Sequence, residues 1–173
     1  KMEGGESHAK TIDRIVDAGI PVVAHIGLMP QSVYKVGGFR VQGRDLDTAQ
    51  QLIRDAHAVQ DAGAFAVVLE SVPAALAEII TGQLHIPTIG IGAGPHCSGQ
   101  VQVFHDILGL FDEFVPRHTR QYAHLSTEIQ RAIGEYVSDV QNHKFPSDEN
   151  SFTMKDEVLT ALRADGANDG AAG

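Results

Sequence analysis

Ala64-Phe65-Ala66-Val67-Val68-Leu69-Glu70-Ser71 is the stretch on which the fold turns. Its apolar residues follow one another without alternation, as in a strand covered on both faces, and the run closes on a carboxylate. Gly63 ahead of it suits the left-handed end of a helix. Upstream, Ala49, Leu52, Ile53, Ala56 and Val59 make a helical stripe that Asp47 or Thr48 can cap. Downstream, Pro73 opens a helix predicted over 73–81, with Leu76, Ile79 and Ile80 on its apolar side.

The plan of helix, buried run and polar tip repeats along the chain. Residues 6–18 predict a helix closed by Gly19, and Ile20-Pro21-Val22-Val23-Ala24 a strand with His25 at its tip. Ile86-Pro87-Thr88-Ile89-Gly90-Ile91 is a further strand that leaves through Gly92-Ala93-Gly94. Gln100-Val101-Gln102-Val103-Phe104 is another, followed by His105-Asp106, and Lys1-Met2-Glu3 reads as one more strand tip. Strands that are continuous apolar runs separated by helices indicate parallel βαβ units. Either an open doubly wound sheet or a (β/α)8 barrel satisfies that, and in both the function gathers at the C-terminal ends of strands. The dinucleotide fingerprint is a poor match, since Pro95 follows Gly90-Ile91-Gly92-Ala93-Gly94 where an apolar helix should begin. A barrel is favoured, although the strands in hand are too few to close one.

Past residue 110 the pattern changes. A helix is predicted over 117–143, with Ile129, Ala132, Ile133, Tyr136, Val137 and Val140 on one face. An extended stretch from Phe145 to Phe152 follows. Residues 1–152 are read as a partial barrel domain and 153–173 as an extension, with a short helix near 154–163 and a disordered tail from Ala164.

Charge and cysteine usage exclude several function classes. The 173 residues carry 13 Lys+Arg against 22 Asp+Glu, a net charge of −9, and no basic cluster that could track phosphates. Nucleic acid is therefore not an expected partner. No apolar run approaches a membrane span. The single cysteine, Cys97, permits no intrachain disulfide, so a reducing, cytoplasmic setting is the default. A small anionic substrate would need local positive charge, which Lys1 can supply.

Four residues stand out. Glu70 ends an otherwise apolar strand, where loss of hydration favours the protonated form and suits a carboxylate to proton transfer near neutral pH. The alternative is a rim carboxylate that meets a lysine or water. Lys1 and Glu3 share a face if the segment is extended. A barrel-end carboxylate can hold a divalent ion, with an ammonium beside it for a substrate carboxylate; the plain alternative is an exposed ion pair. His25 can donate to a developing oxygen charge, or be a structural histidine bonded to a carbonyl. The glycines from Gly90 to Gly94 allow a close approach by backbone or ligand, or simply a tight exit.

Taken in order, these segments resemble the ketopantoate hydroxymethyltransferase family. The resemblance rests on Lys1-Met2-Glu3-Gly4-Gly5, on Gly19-Ile20-Pro21-Val22 through His25-Ile26-Gly27-Leu28-Met29-Pro30-Gln31-Ser32, and on Gly37-Gly38-Phe39-Arg40-Val41-Gln42-Gly43-Arg44. It continues through Ala62–Glu70, Pro87–Gly94, Phe145-Pro146 and Phe152. It implies a (β/α)8 barrel of the phosphoenolpyruvate mutase and isocitrate lyase type, here without roughly the first three βα units. It further implies hydroxymethyl transfer from 5,10-methylenetetrahydrofolate to 3-methyl-2-oxobutanoate, giving 2-dehydropantoate for pantothenate and coenzyme A. By the same resemblance Lys1 contacts the keto-acid carboxylate, Glu3 helps hold Mg²⁺ through water, His25 touches the hydroxymethyl oxygen, and Glu70 takes the proton from C3. A homo-oligomer, often a decamer, is implied as well.

The family's direct metal ligands are aspartates on earlier strands, which this sequence does not contain, so the chain alone is expected to be inactive and poorly folded. Ser98 stands where the family commonly has Asp, and Asn150 where His is usual. Two rivals remain at this level. One is a magnesium-dependent lyase or mutase of the same barrel group, acting on C–C or P–C bonds of a keto acid. The other is a non-catalytic barrel fragment that packs on a partner.

Overall fold

Five parallel strands form one sheet among the residues that the computed structural model describes, 1–32, 41–111 and 113–168. They are β1 (Met2–Glu3), β2 (Val23–Gly27), β3 (Ala66–Glu70), β4 (Thr88–Ile91) and β5 (Gly99–Gln100). Between them lie α1 (Ala9–Asp17), α2 (Leu46–Asp61) and α3 (Ala74–Gln83). Spatial order follows chain order, β1-β2-β3-β4-β5, with no reversal. A doubly wound sheet reverses at a switch point and carries helices on both faces. Right-handed crossovers that always step the same way put every helix on one face.

The core has that arrangement. Ile12 of α1, Leu52, Ala56 and Val59 of α2, and Leu76, Ala77 and Ile80 of α3 cluster with Ala24, Ile26, Val67 and Leu69 of the sheet. Alternate strand residues point the other way. His25, Val68 and Ile89 lie at one level across β2, β3 and β4, with Glu70 and Ile91 one step further toward the C-terminal ends. Past β5, α4 (Phe104–Ile107) is a single turn. The chain resolves into two compact units, Lys1–His124 and Leu125–Gly173. The second holds α5 (Leu125–Gln141) and α6 (Asp156–Asn168).

Several boundaries differ from the sequence reading. β2 starts at Val23, three residues later than predicted, because Gly19 turns at φ +82° and Pro21 has no N–H to give a ladder. Ile20 is consequently exposed, and His25 lies within the strand instead of at its tip. The cap of α2 is Asp45, whose extended backbone lets its carboxylate accept from Thr48 N at 2.9 Å and from the Thr48 hydroxyl at 2.7 Å. Asp47 and Thr48 are already inside the first turn. β5 ends at Gln100, and Phe104, His105 and Asp106 enter α4, so the expected strand-tip pair sits on a helix. α5 begins at Leu125 in place of residue 117, and α6 runs to Asn168, through the first part of the expected disordered tail. Gly37, Gly38, Phe39, Arg40 and the tail from Asp169 lie outside the described residues.

Short β5 is held largely by hydroxyl groups. Ser98 N donates to Thr88 Oγ1 and Thr88 N to Ser98 Oγ, both at 3.2 Å, and Thr81 Oγ1 lies 2.8 Å from the buried Thr88 Oγ1. Ser98, which departs from the family pattern, thus has a structural task. In the second unit Asn150 accepts from the Ser147 hydroxyl at 2.9 Å and from its backbone N–H at 3.3 Å, capping the turn Asp148–Asn150. The predicted apolar stripe of α5 exists, but Ile129, Ile133, Tyr136, Val137 and Val140 are all exposed.

Leu69 is fully buried between the sheet and the helices. Leu69→Ala should lower unfolding free energy by about 2–5 kcal/mol, read from urea denaturation. The Thr48 backbone N–H, then its hydroxyl, hold the Asp45 carboxyl below its ordinary value. A depressed folded-state value gives stabilisation that is complete above the unfolded carboxylate value of about 3.9 and fades as pH falls through the folded one. Asp45→Ala should therefore lower the melting temperature at pH 6 and lose that difference near pH 2.

Candidate active site

His25 is the centre of the sheet face opposite the one that α1, α2 and α3 cover. Its ring is 1% exposed, and three functional groups converge on it. Lys1 Nζ lies 3.3 Å from Nδ1, Glu3 Oε1 lies 3.8 Å from the same nitrogen, and Glu70 Oε2 lies 3.0 Å from Nε2. The β1–β2 register sets Glu3 beside His25, and the β2–β3 register sets Glu70 beside Gly27, two residues beyond His25 on the same face. All four residues singled out in the sequence therefore meet at one place. Lys1 and Glu3 do not pair with each other as an exposed surface bridge would; both turn to the imidazole.

The ring's hydrogen positions follow from its neighbours. An ammonium can only donate, so Nδ1 accepts from Lys1 and the ring proton resides on Nε2. Nε2–H is then a donor facing Glu70. The 3.0 Å separation is short enough for a hydrogen bond, but the carboxylate oxygen lies off the N–H direction, and buried Nε2 has no aligned acceptor. A buried donor without its bond is costly, so the position favours an added acceptor in the adjoining space. That space is a cavity of about 620 Å³ bordered by Lys1, His25, Val68, Glu70, Ile91 and Gln100 among others. Among the described residues, Lys1 is the one lysine or arginine on its walls.

The end of β3 is tightly specified. Leu28 N donates to Glu70 O at 2.8 Å, Ser71 N to Ile91 O at 2.9 Å, and Gln42 N to Ser71 O at 2.9 Å. Gly27 has φ +90°, and a Cβ there would collide with the Glu70 carbonyl and come 2.9 Å from Val72 Cγ2. Ser71 itself sits at φ +53°, a left-handed conformation that costs a non-glycine residue roughly 1–3 kcal/mol. Nothing in the sequence marked Ser71 as strained. Strain immediately after the candidate base is the kind that a functional site retains. Asp55 was also missed: it reads as an ordinary helix charge, yet its Oδ1 accepts from Glu6 N at 2.9 Å and fixes the exit of β1 to α2.

A direct magnesium site is a different matter. Among the described residues, no three His, Cys, Asp or Glu side chains converge as ligands. Glu3 Oε2 already accepts from Gln31 N at 3.2 Å. The described residues therefore do not by themselves form a magnesium site. Cys97 is a free thiol that packs against the core. No helix among the described residues is long and apolar enough to cross a membrane.

If the tautomer assignment is right, long-range ¹H–¹⁵N spectra of the imidazole will show a protonated Nε2 and an unprotonated Nδ1. Lys1→Met should then move the Nδ1 resonance, having removed the donor. A proton found on Nδ1 in the unaltered chain would refute the assignment.

Comparison with known proteins identifies the family. A family model described as ketopantoate hydroxymethyltransferase matches residues 1–148. Among curated proteins, the 3-methyl-2-oxobutanoate hydroxymethyltransferase of Dehalococcoides mccartyi (strain CBDB1) is 55% identical over 163 residues, covering 94% of this chain and 58% of the relative. The protein of that name from Chloroflexus aurantiacus (strain ATCC 29366) is 58% identical over 161 residues, covering 93% and 57%. That from Carboxydothermus hydrogenoformans is 54% identical over 162 residues, covering 94% and 59%. The chain thus spans between 57% and 59% of the length of these relatives. With the family model matching residues 1–148 and relatives above 50% identical over more than nine-tenths of its length, the chain belongs to the ketopantoate hydroxymethyltransferase family.

Proposed function

We propose that this chain carries the proton-transfer half of a hydroxymethyltransferase site, acting on 3-methyl-2-oxobutanoate with 5,10-methylenetetrahydrofolate as one-carbon donor. The five strands are read as an arc of a (β/α)8 barrel, with the face opposite α1, α2 and α3 as its interior. The observation that carries the reading is the meeting of Lys1, His25 and Glu70 at one cavity.

Each residue has a chemical task there. Lys1, the cation on the cavity wall, receives the substrate carboxylate. Glu70, held at the strand end, removes the proton from the carbon next to the keto group. Water adds to the donor's methylene carbon as its two carbon–nitrogen bonds break, and the enolate carbon bonds to that same carbon. The two protons of the water and the one taken by Glu70 end on the two folate nitrogens and the new hydroxyl. The new oxygen of the hydroxymethyl product lies where His25 Nε2–H, otherwise without an aligned acceptor, can donate to it. Glu3 stands 3.8 Å from Nδ1 and makes no hydrogen bond to it, and its proposed contact with magnesium is an outer one through water. When bound, such an ion would polarise the keto oxygen and ease loss of the proton.

The test uses the chain together with the portion of the Chloroflexus protein that it does not match, assayed for methylene-folate-dependent production of 2-dehydropantoate. Glu70→Ala should lower kcat about 100- to 10,000-fold, the usual contribution of a positioned base. An unaltered kcat would return the fragment to a scaffold role. Keto-acid cleavage that proceeds without folate would favour the lyase rival instead.

A further inference from the structure

The C-terminal rim of the sheet bears a second cavity, of about 980 Å³, whose walls include Ser71, Gly92, Gln100, Gln102, Arg117 and His118. Its size is that of a site for a drug-sized organic molecule. Gln100 and Gln102 also border the cavity that contains His25 and Glu70, so the two spaces share a wall.

The wall is built, not loose. Gln100 Nε2 donates to Gly94 O at 2.9 Å. Gln102 Nε2 donates to His118 O at 3.3 Å, while its Oε1 accepts from the Thr119 hydroxyl at 3.0 Å. Those two bonds fix the segment carrying Arg117 and His118 over the end of β4. Gly92, at φ +64°, completes the seat: a Cβ there would stand 3.1 Å from the His118 ring. Arg117 is exposed at the cavity and, among the described residues, has no carboxylate partner. In a chain of net charge −9, an unpaired guanidinium at a polar cavity is a selective place for a carboxylate.

We propose that this second cavity takes the one-carbon donor, with Arg117 receiving a carboxylate of the donor's glutamate tail. The inference rests on the folate-dependent reading above. The reactive end of a reduced folate must reach the enolate beside Glu70, and its carboxylates lie at the opposite end of the molecule. A cavity that adjoins the Glu70 space and ends in a free guanidinium accommodates that polarity. His118, seated against Gly92, presents an aromatic edge along the way.

Equilibrium dialysis of the chain assembled with the unmatched portion of the Chloroflexus protein, using tetrahydrofolate and tetrahydropteroate, which lacks the glutamate tail, tests the assignment. The unaltered chain should bind tetrahydrofolate about tenfold or more tighter, the worth of one charge-assisted carboxylate contact. Arg117→Ala should erase that preference by weakening tetrahydrofolate alone, and Arg117→Lys should restore part of it. Equal binding of the two ligands by the unaltered chain, binding of neither, or an Arg117→Ala chain that keeps the preference would overturn the proposal. Tail-dependent binding lost in Arg117→Ala, together with no dehydropantoate formation in the assembled protein, would sink the reading of function and leave this assignment standing. Turnover with a folate KM indifferent to Arg117→Ala would do the reverse.

Discussion

Every helix that packs on this sheet does so from one side, and the rest of the molecule's organisation follows from that constraint. Successive strands step in a single direction, and right-handed crossovers then have only one face to occupy. Ile12, Leu52, Val59, Leu76 and Ile80 bury the sheet's outer residues, which is where most of the hydrophobic stabilisation resides. The opposite face needs no helix contacts and is free to hold polar groups. His25, buried within a strand, is tolerable there because Lys1 satisfies one ring nitrogen and the adjoining cavity lies open to the other.

The site uses neighbours at different ranges. Lys1 and Glu3 reach His25 across one strand pair, and Glu70 reaches it across the next. Parallel pairing makes this precise, since a one-residue slip would send His25 into the helix layer and expose Ala24 in its place. The register is locked near the chemistry by Gly27, whose missing side chain admits the Glu70 carbonyl, and by the bonds at Ser71. The same backbone that positions the base thereby prevents the sheet from sliding.

Much of this was legible in the chain. The unbroken run 64–69 announced a buried parallel strand, and its terminal Glu70 was correctly placed at the C-terminal end. Lys1, Glu3, His25 and Glu70 were each chosen for position or resemblance, and the fold brings them together. What escaped depends on distant partners or exact backbone angles. The start of β2 was misplaced because apolar residues 20–22 look like strand, while Pro21 and the turn at Gly19 decide otherwise. Asp45 was overlooked as a cap because Thr48, three residues on, carries the N–H it binds. Gln102, Arg117 and His118 gave no local signal; their arrangement depends on long-range bonds to one another and on an absent Cβ at Gly92.

The two-residue strand β5 has a further consequence. Like β1 it is paired at only two positions, with one further ladder bond from Val101 N to Gly90 O and the Thr88–Ser98 hydroxyl contacts to hold it. Elements with few backbone bonds open at a fraction of the global unfolding free energy. The partition between the two cavities therefore stands on a thinly bonded edge of the sheet, whereas Glu70 stands on β3, bonded along both sides. Under the proposed function, two molecules exchanging a carbon atom across that partition would meet a firmly held Glu70 on one side and a yielding doorway on the other.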